Sequence, residues 1–539
     1  MPKFNTQSFS YGGSFLFPRR SLGLIAALGL CAGLGASVAQ AQEINDQGWT
    51  VLEPSVDTRF VFVSSSEGDD SNSGFSPSQA VRSLSRAKSL IRDNSADWML
   101  LKRGDVWYEG IGHWSKSGRS AEERVVITSY GESDERPKLV ISNGKMLQSG
   151  YQVQRSNLAI IGLSMVADRT TEDVPTGINW LASGENLLIE DCYISSFNVN
   201  VVCQATGEGD FKNFAIRRSV IVDSWFTQGH SQGLFVSGAT GVLLEENVFD
   251  HNGWNPDIPG AEPTLFNQNI YLQTSTTGVE FHGNITSRAS AAGVQMRRGG
   301  HASRNLVYAN PLGMRFGYMT LEWPEDAASG SLTQNAILGG PLATSEIPGS
   351  GVGVYIERAK DTIFKDNVVA ELDGGSVNWA FAIVGYARDI QFERNAVFDW
   401  GMAIRSNANT EGIVQVNGNL WQARESSELI KVDDSSEYGF ENNKLFGFGL
   451  DDRIFRVNGD RFDFDQWVGQ DFVEGDEFEA SLFPDPGRNL DSYAQHLGLA
   501  DAEAFLEAAR GQSRANWDPA LTGRAASDWI RAGYLSEEE

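Results

Sequence analysis

The sequence predicts an all-β chain wound as a parallel β-solenoid (β-helix), and three observations lead to that fold class. First, a unit recurs along the chain: an apolar-x-apolar segment, two further residues, one slot residue and a short apolar pair. The slots are Leu163, Cys192, Ser219, Asn247, Asn284, Asn305, Asn335, Asn367, Asn395, Asn419 and Asn443, which span 280 residues in ten steps, a mean of 28. Second, eight of these eleven slots hold Asn. A stack of Asn amides bonded from coil to coil is how a parallel solenoid satisfies its bent backbone. Third, a second strand follows each slot, as in Gly233-Leu234-Phe235-Val236, Asn269-Ile270-Tyr271-Leu272, Gly293-Val294-Gln295-Met296, Gly313-Met314-Arg315-Phe316 and Gly353-Val354-Tyr355-Ile356. Strand alternation puts Leu234/Val236, Ile270/Leu272, Val294/Met296, Met314/Phe316 and Val354/Ile356 inside and their neighbours outside.

Taken in order, residues 1–41 read as an export signal. Arg19-Arg20 precede an apolar run from Leu22 to Leu34, and Ala39-Gln40-Ala41 has the small-x-small pattern of a cleavage site. The run is too short for a stable membrane span, so a periplasmic or secreted protein is expected, cleaved after Ala41. Removing this segment deletes Lys3, Arg19 and Arg20 and no acidic residue, which takes the formal charge from −27 to −30. Such acidity opposes nucleic acid as a partner. Cys192 and Cys203 are the cysteines left after cleavage, too few for a disulfide framework, and both a bond and two buried thiols fit their spacing.

Residues 42–154 read as an N-terminal α+β cap. Thr58 to Ser64 alternates like a strand and Glu67 to Gly74 is a polar turn. Ser76-Pro77-Ser78-Gln79 reads as a capping box that starts a helix over residues 77–93. Residues 155–460 form the solenoid. The repeats stop near 460, and 461–539 reads as a partly helical C-terminal cap whose aromatics pack on the end of the coils.

The stretch Gly68-Asp69, the Ser73-Gly74 turn, Leu101-Lys102-Arg103-Gly104-Asp105-Val106-Trp107 and Ser129-Tyr130-Gly131 before Arg136-Pro137 resembles the N-terminal portion of secreted bacterial right-handed β-helix proteins. Residues 155–460 in turn resemble the right-handed parallel β-helix of the pectate-lyase-like and polysaccharide lyase superfamily. The resemblance implies right-handed winding and action on an acidic polysaccharide. Family 6 lyases use a Lys base with an Arg and commonly calcium, but no Lys occurs between Lys212 and Lys360. No cofactor is expected, with calcium left open, and no metal ligands are assigned. The Asp-Pro-His-Asp motif of alginate epimerases is also missing, and Asn255-Pro256-Asp257 is only a faint echo of it.

The unusual chemistry concentrates between His230 and Arg315. Four of the six histidines fall there (His230, His251, His282, His301), and residues 281–321 hold five Arg and no acidic residue in an otherwise acidic chain. The outward column of the second strands reads Phe235, Tyr271, Gln295, Arg315, Tyr355, and the column two residues on reads Ser237, Gln273, Arg297, Gly317, Glu357. Aromatic faces stack on sugar rings, amides bond hydroxyls, and guanidinium groups pair with carboxylates. An insertion, Gly253 to Pro263, supplies a wall beside them.

Lytic cleavage of a uronate polymer needs a cation to neutralise the carboxylate, a base to take the C5 proton and an acid for the leaving oxygen. Arg297 and Arg315 are assigned to the first role, His251 or His230 to the second and Tyr271 to the third. Phe235, Gln273, Gln295, Tyr355, Trp254 and Glu357 are assigned to substrate binding. His282 lies in the first strand, away from this column, and reads as structural. Two alternatives stand: a glycoside hydrolase, for which Asp250, Asp257, Glu262 and Glu357 are the nearest carboxylates, and a carbohydrate-binding solenoid without turnover. A monomer with an anionic polysaccharide as its partner is expected.

Overall fold

The computed structural model describes residues 43–536 apart from 321, 341–346, 348, 423, 425–427, 435–436, 448–452 and 480–482, so the export signal read in residues 1–41 lies outside the described residues. Each coil contributes a first long strand, a three-residue strand and a second long strand. Phe211–Arg217, Val220–Val222 and Gln232–Ser237 make one coil, and they pair in parallel register with Ala239–Glu245, Val248–Asp250 and Gln268–Leu272 of the next. Parallel pairs need crossover connections, and those wind right-handed. The chain is a right-handed parallel β-helix. Val352–Lys365 and Trp379–Glu393 run round the corner from the second face to the first of the following coil, which joins the two long-strand faces.

The inward residues are those that alternation assigned. Leu234, Val236, Ile270, Leu272, Val294, Met296, Met314, Phe316, Val354 and Ile356 are all buried, none more than 1% exposed. At the turn between first and short strands the Asn side chains form one chain of hydrogen bonds. Asn247 Nδ2 donates to Asn284 Oδ1 at 3.0 Å, and the pattern repeats through Asn305, Asn335, Asn367, Asn395, Asn419 and Asn443. Asp476 ends it, accepting from Asn443 Nδ2 at 2.8 Å and from Trp467 Nε1 at 3.0 Å. A carboxylate suits the last rung because it accepts without having to donate onward. A second ladder runs from Asn200 through Asn252 to Asn269 at the turn before the second strands.

Stacking extends beyond residues 155–460 at both ends. Phe60–Val63, Trp98–Lys102, Val125–Tyr130 and Leu158–Ile161 pair in sequence, so the boundary drawn at 155 falls inside a continuous stack. The helix expected over 77–93 is shorter. Pro77–Gln79 is a single 3₁₀ turn without a side-chain cap, and Leu84–Leu90 is the α-helix, capped by Ser83 accepting from the Arg86 amide. Between them Val81 exchanges backbone hydrogen bonds with Phe62 and Ser64, which holds it extended beside the first strand. Cys192 and Cys203 are free buried thiols, and burial pushes the Cys192 thiol up to about 12.

The C-terminal region has two jobs. Phe464–Trp467 closes the end of the coils, where Trp467 stacks on Phe455. The helices Leu490–His496, Ala502–Arg510 and Gly523–Arg531 instead lie along the side of the stack, where Phe505, Leu506, Ile530 and Tyr534 pack on Val220, Val248, Ile285 and Leu306. The end-packing expected for the whole region thus holds only for its first helix, because outward apolar residues of the short strands require lateral cover. Ion pairs fasten that cover: Arg510 reaches Asp223 and the fully buried Asp250, which also pairs with Arg288, while Arg288 pairs with Glu503 at 2.5 Å. Arg510→Ala is expected to lower stability by about 1.5–3 kcal/mol, the worth of hydrogen bonds to a charged group. Limited proteolysis should then release the helical segment before the coils melt. No helix among the described residues is long and apolar enough to cross a membrane.

Candidate active site

The second strands place one side chain per coil on a shared outer face. The registers give the column Asn179, Val202, Phe235, Tyr271, Gln295, Arg315, Tyr355. With coils about 4.8 Å apart, neighbouring side chains touch. Phe235 meets Tyr271 edge to face at 5.3 Å, and Arg315 lies 5.6 Å from the Tyr355 ring. Loop 253–267 rises beside this face. Its base is fixed by Gln232 and Gln268, which donate to the carbonyls of Phe266 and Leu265 at 2.8 Å, and so Leu265 and Phe266 form a wall. The result is a cleft of about 610 Å³ lined by residues that include His230, Phe235, Tyr271, Gln295, Arg297, Arg315 and Tyr318.

Arg297 is the centre of this cleft. Its guanidinium sits 3.7 Å from the Tyr318 ring centroid and 4.5 Å from that of Tyr271, and Nη1 donates to Gln273 Oε1 at 2.9 Å. Among the described residues it makes no ion pair, and its Nε is buried without a partner. Burial lowers its pKa from the usual arginine value, as expected for a desolvated cation. Gln295, 1% exposed, also leaves its Nε2 unpartnered beside it. No Asp or Glu is among the described residues that line the cleft. Arg297 Nε and Gln295 Nε2 are both buried donors that the described residues leave without an acceptor. Burial raises the Tyr271 phenol above its ordinary range, against the pull of Arg297, so it stays protonated at neutral pH.

Glu357 stands at the edge of the site, almost fully buried, where it takes Arg315 Nη2 on both oxygens at 3.0 and 2.9 Å. Gly317 makes this approach feasible: at φ +97 it has no side chain, and a Cβ there would lie 1.8 Å from the Glu357 carbonyl oxygen. Burial raises the Glu357 carboxyl above the ordinary glutamate range, outweighing the Arg315 guanidinium beside it. A carboxyl raised by folding holds its proton to higher pH than in the unfolded chain. Its contribution to stability therefore declines as pH rises above the ordinary value of 4.5. In that same window a falling pH neutralises Glu357 and frees the Arg315 charge, so an acidic ligand is expected to bind more tightly. Glu357→Gln should remove this component and tighten binding at neutral pH roughly three- to tenfold, the effect of deleting one opposing charge in a partly desolvated pair. Titration calorimetry across pH checks it.

Of the residues singled out from the sequence, His230, Phe235, Tyr271, Gln295, Arg297 and Arg315 line the cleft together. Gln273, Tyr355 and Glu357 flank it through their contacts with Arg297 and Arg315. His251 and Trp254 are not among the lining residues. His251 has φ +53 at the corner after its short strand, and its Nδ1 lies 3.0 Å from Asp223 Oδ1 in the network that holds Arg510. Its neighbour Asn252 points inward into the second ladder, and this one-residue offset turns His251 to the short-strand corner. Trp254 packs on His251 and donates to the Arg288 carbonyl. His282 bonds Ser303 and Glu280 on the first face, as a structural residue does. Sequence reading missed Tyr318, which follows Gly317 at a strand end. It also missed Leu181, Val199, Val202 and Gln204, whose coils lack a slot Asn to mark them. Among the described residues no group of three or more His, Cys, Asp or Glu converges as metal ligands.

No protein-family model matches the chain. The lacto-N-biosidase of Bifidobacterium longum subsp. longum is 26% identical over 141 residues, an alignment covering 26% of this chain and 9% of that protein. The chain thus spans under a tenth of that relative's length. Among solved structures, the GH136 lacto-N-biosidase from Eubacterium ramulus is 13% identical with a TM-score of 0.35, covering 78% of this chain and 68% of that one. The pectate lyase Pel9A is 13% identical with a TM-score of 0.37, covering 82% and 86%. The periplasmic alginate epimerase AlgG, as a double mutant, is 11% identical with a TM-score of 0.41, covering 67% and 77%. The fold itself rests on the strand registers.

Proposed function

We propose that the protein is an exported enzyme that cleaves an acidic, uronate-containing polysaccharide by β-elimination in the cleft around Arg297. One observation carries this reading: a half-buried guanidinium that makes no ion pair among the described residues, held between two tyrosines in a cleft whose described lining has no carboxylate. Such a cation is most stabilised by a ligand carboxylate that pairs with it in bidentate fashion. The leader read at Arg19 to Ala41 fits such a polymer, met outside the cytoplasm.

In this mechanism Arg297 neutralises the carboxylate and so acidifies the C5 proton of the uronate, and Arg315 adds its charge as Glu357 is protonated. His230 removes that proton. The electron pair of the C5–H bond forms the C4=C5 double bond, the C4–O bond breaks, and the Tyr271 phenol gives its proton to the leaving oxygen. The protonated state that burial imposes on Tyr271 suits it to be the acid rather than the base.

Hydrolysis is the second reading, favoured by the sequence match to a lacto-N-biosidase. It requires two carboxylates about 5–10 Å apart across the bond, but the described lining of the cleft holds none, and Glu357 at its edge is paired with Arg315. A panel of acidic polysaccharides separates the readings. Elimination produces ultraviolet absorbance from an unsaturated uronate in step with new reducing ends, whereas reducing ends without absorbance would establish hydrolysis.

A further inference from the structure

The cleft is divided along its length. Leu181, Val199, Val202 and Phe235 come from the coils nearer the N-terminus, while both of its arginines lie in the later coils. From Val202 to Arg315 the outward column climbs four coils, about 19 Å at the spacing of stacked strands, so more than one sugar lies along it. Phe266 is 65% exposed although it is a large apolar residue fixed on a wall by the Gln232 bond to its carbonyl. Its ring lies 5.5 Å from that of His230, which puts an apolar edge beside the cleft lining.

Aromatic rings alone would suit the flat face of any sugar. Leu181, Val199 and Val202 have no flat face and no hydrogen-bonding atom in their side chains, and a hydroxyl-rich ring set over them would lose its hydrogen bonds to water without replacement. A methyl group loses nothing there and gains by leaving water. Asn179 and Gln204 bring side-chain amides to this same end, where an amide N–H can donate to an acyl carbonyl. We infer that the cleft takes a uronate joined to a neutral sugar bearing an acyl group, with the acyl methyl on the Val199–Val202 end and the carboxylate on Arg297. This rests on the reading of the cleft as an acidic-saccharide site and adds the identity of the neighbouring sugar.

The test compares three tetrasaccharides by calorimetry on the full mature chain: alternating N-acetylhexosamine and hexuronate, uniform hexuronate, and uniform N-acetylhexosamine. The alternating ligand is expected to bind at least about fourfold tighter than the uniform hexuronate, the value of one buried methyl, and the neutral ligand most weakly. Val202→Asn, a change on an outward half-buried position, should erase most of that preference, while Arg297→Ala should weaken both acidic ligands. If the uniform hexuronate bound as well as or better than the alternating one and lost affinity in Arg297→Ala, the acyl assignment would be overturned and the acidic-saccharide reading kept. If neither acidic ligand bound, or Arg297→Ala left their affinities unaltered, both would fall.

Discussion

Arg297→Ala is expected to lose about 10²- to 10³-fold in kcat/KM on an acidic polysaccharide, the usual effect of removing a preorganised group that stabilises developing negative charge. The loss should not come from unfolding. Arg297 pairs with no carboxylate among the described residues, and its contacts with Tyr271 and Tyr318 contribute only about 1 kcal/mol, so the melting temperature should move by a few degrees at most. Arg297→Lys should recover little. An ammonium lacks both the planar face that fits between two rings and the fork that matches a carboxylate. Steady-state kinetics of the three proteins beside thermal melts decide it, and near-wild-type activity in Arg297→Ala would remove Arg297 from the site.

The largest effect on stability is expected inside the coils. Asn367 Oδ1 accepts from the Asn335 amide and side chain at 3.0 and 2.9 Å, and Asn367 Nδ2 donates to the Leu332 carbonyl and Asn395 Oδ1 at 2.8 and 2.9 Å. Asn367→Leu leaves two buried donors and a buried carbonyl without partners. At about 1–3 kcal/mol for each such group, partly relieved by relaxation, the cost should be about 3–6 kcal/mol. Asn367→Asp should also be costly. It keeps the acceptor but cannot donate, and it sets a charge against Asn395 Oδ1; Asp476 escapes this because no further rung follows it. Denaturant midpoints measure both variants. A Leu variant as stable as wild type would mean that the ladder does not hold the coils.

The ladder is also why so much of the fold was readable. Every slot from Asn247 to Asn443 sits in one hydrogen-bonded line because a side chain that both donates and accepts is required at each coil, and that requirement leaves one residue type at a regular spacing. Coils before Leu163 lack this mark, and their apolar side chains carry the packing instead, so the Asn spacing does not reveal them. The second ladder has no such period, since Asn252 and Asn269 belong to one coil and are joined across the 253–267 loop. For the site, strand alternation was enough to bring Phe235, Tyr271, Gln295 and Arg315 into register. It was not enough at corners. His251 and Tyr318 lie where the backbone leaves the strand, and the left-handed turn at His251 and the glycine before Tyr318 set their directions. The lateral docking of the last three helices has its signal in the short strands: Val220-Ile221-Val222 is apolar at all three positions, so both of its faces require cover.

The most direct measurement is a crystal structure of the protein with an acidic tetrasaccharide bound. The expected result is a carboxylate in bidentate contact with Arg297 at about 2.7–2.9 Å, with the sugar between Phe266 and the Tyr271 column. A tetrasaccharide bound on another face of the coils, or lying in this cleft with its carboxylate turned away from Arg297, would contradict it.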